Sequence, residues 1–270
     1  DKRLLELNIW LAGLEKAWGL DLPSLASASS DASFRRYFRV LGKSQAPKSS
    51  YILMDAPPTH EDTRPFIKIS EFLGASQLNV PKVLEANVEE GFLLLSDLGH
   101  TTYLSVLNQE SAHQLYDDAA NALIQMQLGS KKGVLPEYDA ALLKREIGLF
   151  PEWFLNQHHQ LHLSKAEEAS LNTVFELIIQ NNLSQPQVTV HRDYHSRNLM
   201  LLNEPGTAIG VIDFQDAVLG PVTYDLVSLL RDAYIEWDEE MVLDWAVRYW
   251  ELARRAGLTR RELEALAASN

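Results

Sequence analysis

Between apolar runs the chain reads HRDYHSRNLML at 191–201 and then VIDFQDA at 211–217. VTV ahead of His191, LMLL after Asn198 and AIGVID up to Asp213 have the apolar, β-branched character of short strands. Asp193, the asparagine five residues on and the aspartate fifteen beyond that each fall at a strand end. The fold must therefore present Asp193, Asn198 and Asp213 on loops held by short strands, not bury them in a helix or sheet.

Those residue types in that order suit phosphoryl transfer. A γ-phosphoryl group in flight spreads charge over its oxygens, so a protein has to hold metal-bridged phosphates in line with an acceptor hydroxyl and do little covalent work. Asp193 is expected to accept or orient the proton of that hydroxyl. Asn198 supplies a neutral carbonyl oxygen and Asp213 a carboxylate, the hard ligands that Mg²⁺ prefers while keeping several waters. His191 is expected to be structural, a packed and hydrogen-bonded histidine. Asp225, in GPVTYDL, is also read as structural: at the start of the apolar helix LVSLL it either caps that helix or accepts hydrogen bonds from the backbone of the catalytic loop.

With 270 residues, 46% of them hydrophobic, the chain can bury a sizeable core in one large domain or two lobes. No apolar run approaches the length of a membrane span. The beginning, DKRLLELNIWLAGLEKAWG, spaces Leu4, Leu7, Leu11, Leu14 and Trp18 by threes and fours, which predicts an amphipathic helix and not a signal peptide. Zero cysteines exclude disulfides and thiolate zinc sites, and a cytoplasmic location is the expectation. A net charge of −13 repels the phosphate backbone of nucleic acid, and with no apolar run of membrane length neither nucleic acid nor membrane is an expected partner.

Along the chain, LPSLAS, FRRYFRV, SYILMD, VPKVLE and GFLLLSDL read as short strands separated by turn-rich segments, with one helix near 62–76 whose Pro65 lies close to its start. From about Tyr103 the periodicity turns helical. A small β-rich nucleotide-binding lobe, 1–98, is thus expected to precede a larger helical lobe, 99–270, carrying the catalytic loop and the acceptor site. SDLGH at 96–100 is the expected hinge, with the backbone groups of Ser96, Asp97 and Leu98 where an adenine edge pairs, and the crevice between lobes is the expected nucleotide site. The charged end RRELEALAASN is expected to stop within a helix, with further helices to follow.

On His191, Asp193, His195 and Asn198, followed by Ile212, Asp213 and Phe214, the chain resembles the aminoglycoside phosphotransferase and choline-kinase superfamily, whose loop reads HxDxHxxN and then IDF or IDW. FRRYFRV, ILMDAPP, GFLLLSDLG and REIGLFPEWFL narrow the resemblance to bacterial anomeric sugar kinases of cell-wall recycling, which act on N-acetylmuramate and N-acetylglucosamine at C1. The resemblance implies an α+β, two-lobed protein-kinase-like fold, ATP with Mg²⁺ as phosphoryl donor, and an amino sugar as acceptor.

One departure stands out. Kinase-type small lobes usually carry a lysine on the third strand for the α and β phosphates, and YILMD puts Met54 and Asp55 there. FRRYFRV offers Arg35, Arg36 and Arg39 instead, with Arg36 on the face of Phe34, Phe38 and Val40. An arginine on an apolar face needs an anionic partner, for which ATP phosphate and Glu71 are the candidates. SSDAS at 29–33 lacks glycine, but Ser33 and its neighbours can cover phosphates through hydroxyl and backbone N–H groups. For the acceptor, LLKREIGLFPEWFL places Glu146 and Trp153 around Pro151, which is expected to end or kink the helix, and the catalytic loop adds His195 and Arg197. The adjacent His158 and His159 point different ways and are read as surface.

With these residues, the resemblance implies ATP-dependent phosphorylation of the anomeric hydroxyl of an N-acetylated amino sugar. Two alternatives remain: an aminoglycoside or other small-alcohol phosphotransferase, and an inactive nucleotide-binding module suggested by the absent lysine.

Overall fold

A computed structural model describes residues 2–29, 34–202 and 209–258. The chain divides into two compact units, Asp1–Ser105 with Asn198–Gln215, and Val106–Arg197 with Asp216–Asn270. A contiguous division after residue 98 is expected from the sequence; the first unit instead runs on to Ser105 and recovers a later segment. Backbone bridges explain the recovery, Asn79 pairing with Gly210 and Thr102 with Met200.

In the first unit helix α1 (Lys2–Trp18) leads into strand β1 (Leu20–Ser29), followed by β2 (Arg36–Gly42), β3 (Ser50–Asp55), α2 (Thr63–Ala75), β4 (Val83–Asn87) and β5 (Phe92–Ser96). The five strands form one antiparallel sheet in the order β1-β2-β3-β5-β4. The three-and-four spacing of α1 has the consequence expected of it. Leu7 and Leu11 are buried against Leu20, Val40, Tyr51, Leu53, Phe92 and Leu94, with Leu4, Leu14 and Trp18 at the margin. The β4–β5 turn requires glycine at Gly91, where φ is +71° and a Cβ would lie 1.9 Å from the Ala56 carbonyl oxygen. Helix α2 is capped by Asp62, whose carboxylate accepts from the Arg64 N–H at 3.0 Å, and it buries Phe66, Ile69, Ser70 and Leu73. The hairpin of β7 (Leu199–Met200) and β8 (Gly210–Val211) completes the unit, and the ring of Phe214 lies 4.9 Å from that of Phe66.

The second unit is mainly helical. After α3 (Tyr103–Val106), where the chain leaves the first unit, come α4 (Ala112–Leu128), α5 (Ala140–Ile147), a π-helix (Phe150–His158) and α6 (Lys165–Leu183). Strand β6 (Gln187–Val190) pairs antiparallel with β9 (Val218–Pro221), and α7 (Tyr224–Leu230) and α8 (Glu239–Arg255) follow. Helix α4 packs on α8 through Tyr116, which stacks on Trp245 with ring centres 4.0 Å apart, and Gln127, which accepts from the Tyr249 hydroxyl at 2.5 Å. No helix among the described residues is long and apolar enough to cross a membrane. The expected helix at RRELEALAASN lies outside the described residues.

Candidate active site

In the second unit the chain leaves β6 and makes a tight loop over 191–196. The loop is tied down by two buried carboxylates. Asp225, fully buried on α7, accepts from the backbone N–H of His191 at 2.7 Å and of Arg192 at 3.0 Å. Asp232, also buried, accepts from the N–H of Ser196 at 2.8 Å and of Tyr234 at 2.9 Å. Tyr194 adds a third tether, its hydroxyl donating to the Ala119 carbonyl at 2.9 Å. Burial pushes the Asp225 carboxyl up to about 7 against the pull of its two N–H donors, and Asp193 nearby adds to the rise. Of the two structural roles open to Asp225, the geometry selects the catalytic-loop acceptor. His191 is itself buried, and its Nδ1 accepts from the Asp193 N–H at 3.3 Å. Asp193 itself is exposed.

Arg192 sits at φ +79°, a left-handed conformation uncommon for a non-glycine residue. Both terminal nitrogens of its side chain are engaged. One terminal nitrogen donates to Glu146 Oε1 and the other to the Asp216 carbonyl at 3.3 Å. The other oxygen of Glu146 accepts from the Tyr138 hydroxyl, which also lies 3.2 Å from the hydroxyl of Tyr224. Burial, together with the Glu146 and Tyr224 contacts, pushes the Tyr138 phenol far above its ordinary range. Gly220 makes room for this tyrosine, since a Cβ there would lie 2.9 Å from Tyr138 Cδ1. The sequence assigns Glu146 to the acceptor; in the structure its two oxygens accept from Arg192 and from Tyr138.

Trp153 is 59% exposed on the π-helix, not in the core, and His158 and His159 are exposed beside it. Helix α5 stops before Pro151, and the chain resumes as π-helix with the proline in its first turn, as a missing N–H permits. His195 and Arg197 both pack on Tyr234, the imidazole edge-on at 5.3 Å and the guanidinium carbon 4.8 Å from the ring centre.

In the first unit, Asn198 and Asp213 are brought side by side by the β7–β8 ladder. The Ile212 N–H donates to the Asn198 carbonyl at 3.0 Å, and Asn198 Nδ2 lies 3.5 Å from Asp213 Oδ2. Asp213 has φ +64° and its Oδ1 accepts from Gln215 at 2.8 Å. No group of three or more His, Asp or Glu side chains among the described residues forms a ready metal cage. One carboxylate and one amide oxygen nevertheless fit Mg²⁺, which takes its remaining ligands from water and phosphate.

The arginines of β2 and its approach have partners the sequence did not identify. Arg36 is paired with Asp55, not Glu71: the two are opposite each other across β2 and β3, with nitrogen–oxygen distances of 2.6 and 2.9 Å. Asp55 is fully buried and also accepts from Arg3 of α1 at 2.6 Å. Arg35, just outside the strand, holds Glu61 at 2.9 Å. Arg39 grips Asp97 at 2.6 and 3.0 Å and the Gly99 carbonyl at 2.7 Å. Burial pushes Asp97 up, but Arg39, Ser50 and the Gly99 N–H outweigh it and hold the carboxyl below the usual range. Ser96 is likewise engaged, its hydroxyl accepting from the Lys82 N–H at 2.8 Å, and Leu98 is half-buried. Ser33 lies outside the described residues.

Asp232, Tyr138, Tyr234 and Asp55 are the participants that the sequence does not single out. Asp55 had a signal, since strand register places it opposite Arg36; Asp232, beyond the apolar helix of Asp225, had none.

The sequence profile of the phosphotransferase enzyme family matches residues 24–258. An N-acetylmuramate/N-acetylglucosamine kinase of Pseudomonas aeruginosa is 46% identical over 265 residues, 96% of this chain and 76% of that protein. The protein of the same name from Neisseria meningitidis is 44% identical over 262 residues, covering 95% and 75%. Among solved structures, ADP-bound aminoglycoside phosphotransferase APH(2'')-Ib superposes with a TM-score of 0.62 at 19% identity, over 92% of this chain and 85% of that one. At that identity the likeness speaks for fold alone.

Proposed function

The chain belongs to the phosphotransferase enzyme family, and from that premise we propose that it transfers the γ-phosphoryl group of ATP to the anomeric hydroxyl of an N-acetylated amino sugar, N-acetylmuramate or N-acetylglucosamine. Its place is the cytoplasmic recycling of peptidoglycan sugars. The names and identity of the curated relatives support the sugar; the acidity of an anomeric hydroxyl, greater than that of an ordinary alcohol, supports the position, because a carboxylate is a weak base.

The observation that carries the reading is the 191–196 loop, whose backbone is fastened by Asp225 and Asp232 while the Asp193 side chain is exposed. Asp193 accepts the proton of the acceptor hydroxyl as its oxygen bonds to the γ-phosphorus and the bond to the β-γ bridging oxygen breaks, releasing ADP. Asn198 and Asp213 are the residues to hold Mg²⁺, which when bound neutralises phosphate charge. Arg36 keeps a side chain 38% exposed beside buried Asp55, so it can meet a phosphate in place of the absent lysine. Ser33 and Arg35 belong near the phosphates on the same reading, and the 96–98 backbone near adenine. Trp153 offers an aromatic face to the sugar, with His195 and Arg197 as further acceptor contacts.

The test is an ATP-consumption screen across N-acetylmuramate, N-acetylglucosamine, their 1-O-methyl glycosides, aminoglycosides and choline. Turnover of the free sugars and none of the methyl glycosides is expected, because only the anomeric oxygen is placed in line. Efficient phosphorylation of a methyl glycoside would remove the anomeric assignment, turnover of aminoglycosides alone would favour that rival, and no turnover at all would favour an inactive nucleotide-binding module.

A further inference from the structure

The two sugars proposed as acceptors differ by one charge. N-acetylmuramate carries a lactyl ether ending in a carboxylate, and N-acetylglucosamine has a plain hydroxyl there. A site that distinguishes them needs a cation whose charge the protein has not already neutralised. Many arginines do not qualify: Arg36 is paired with Asp55, Arg35 with Glu61, Arg39 with Asp97 and Arg192 with Glu146. Arg197, four residues after Asp193, is exposed, and among the described residues its guanidinium lies over an aromatic ring.

That ring is well placed. The Arg197 guanidinium carbon lies 4.8 Å from the centre of Tyr234, and the His195 ring meets the same tyrosine at 5.3 Å and 70°. Tyr234 and the loop that carries both residues share one anchor. Asp232 accepts from the N–H of Ser196, between His195 and Arg197, and from the N–H of Tyr234. The buried Nδ1 of His195 has no hydrogen-bond partner among the described residues. A guanidinium laid over an aromatic ring is held in orientation while its N–H edge stays available, the edge that meets a planar carboxylate through two parallel hydrogen bonds.

Resting on the amino-sugar reading above, we propose that Arg197, laid over Tyr234, recognises the carboxylate of an anionic acceptor and sets the preference of this enzyme between carboxylate-bearing and neutral N-acetylated sugars. The contact belongs to substrate binding and not to the reacting atoms, so it acts on KM for the anionic sugar more than on kcat.

The experiment compares kcat/KM for N-acetylmuramate and N-acetylglucosamine in the wild type, Arg197→Gln, Arg197→Lys and Tyr234→Leu. In Arg197→Gln the ratio of the two constants is expected to fall about tenfold, the scale of a charge-assisted hydrogen bond. Arg197→Lys should recover part of that loss, lacking the planar fork, and Tyr234→Leu should fall between it and the wild type. A second measurement needs no variant: the methyl ester of N-acetylmuramate, with its charge removed, should lose about the same tenfold against the free acid in the wild type. An unchanged ratio in Arg197→Gln, equal losses for both sugars, or an ester used as well as the acid would each overturn the assignment. A wild type that turns over both sugars with such a result leaves the amino-sugar reading standing, whereas one that turns over neither overturns both.

Discussion

Replacing Asp225 with alanine removes the acceptor from two backbone N–H groups at once, those of His191 and Arg192 at 2.7 and 3.0 Å. A buried N–H left without a partner costs about 1–3 kcal/mol. The His191 N–H is fully buried and the Arg192 N–H is only partly so, which lets water relieve the second. The expected loss at pH 5 is therefore about 2–4 kcal/mol, in the lower part of the two-group range. Its pH dependence has a definite sign. The folded carboxyl is raised from 3.8 to about 7, so the stability it contributes is full below pH 4 and is lost as pH rises through 7. A rise of about three units corresponds to about 4 kcal/mol, and the alanine variant has no such slope. The gap between the proteins should accordingly close by pH 8. Deuterium uptake by the peptide spanning 190–197, measured by mass spectrometry and corrected for intrinsic exchange, reads the two amides directly; about thirtyfold faster exchange in the variant at pD 5 is expected from a 2 kcal/mol loss. Equal exchange at pD 5, or a difference that does not shrink towards pD 8, would refute the reasoning.

Asp193→Asn should keep nucleotide affinity by calorimetry and lose about 10²–10⁴ in kcat, the usual worth of a general base, and near-normal turnover would remove Asp193 from the mechanism. Arg36→Ala should weaken ATP more than AMP by about 1.5–3 kcal/mol while lowering thermal stability, because buried Asp55 then relies on Arg3; equal weakening of both nucleotides would reduce Arg36 to a partner of Asp55. Glu146→Gln should lower kcat with little change in the sugar KM, since its oxygens hold Arg192 and Tyr138, and a rise in KM alone would return it to direct sugar contact.

What could be read from the sequence was what depends on local order along the chain. Period-two strands, the Leu7 and Leu11 face of α1 and the helix near 62–76 follow from neighbours a few residues apart, and so does the delivery of Asn198 and Asp213 to strand ends. Asp225 was legible because an aspartate inside an apolar stretch must find donors, and the loop beside a strand end has them. Partner choice was not legible. Glu146 and Arg192 are 46 residues apart, and nothing local says that a helix carboxylate will find a loop arginine before a ligand does. An arginine on an apolar strand face needs an anion, but which one depends on the β2–β3 register, which sets Asp55 and not Glu71 opposite Arg36. The π-helix and the return of Asn198–Gln215 to the first unit likewise depend on contacts between distant segments.

The Asp55 triad also limits how this lineage can change. In place of the lysine expected of a kinase-type small lobe, this chain has a buried negative charge flanked by Arg3 and Arg36. Mutating Asp55 straight to lysine would crowd three cations into that position with no counter-charge, a buried repulsion that a marginally stable protein does not survive. Passage between the two arrangements must go through loss of an arginine first, at the expense of the aspartate it neutralises. Each residue thus holds the others in place by charge, and Asp55→Lys should fold only where Arg36, Arg3 or both are also replaced.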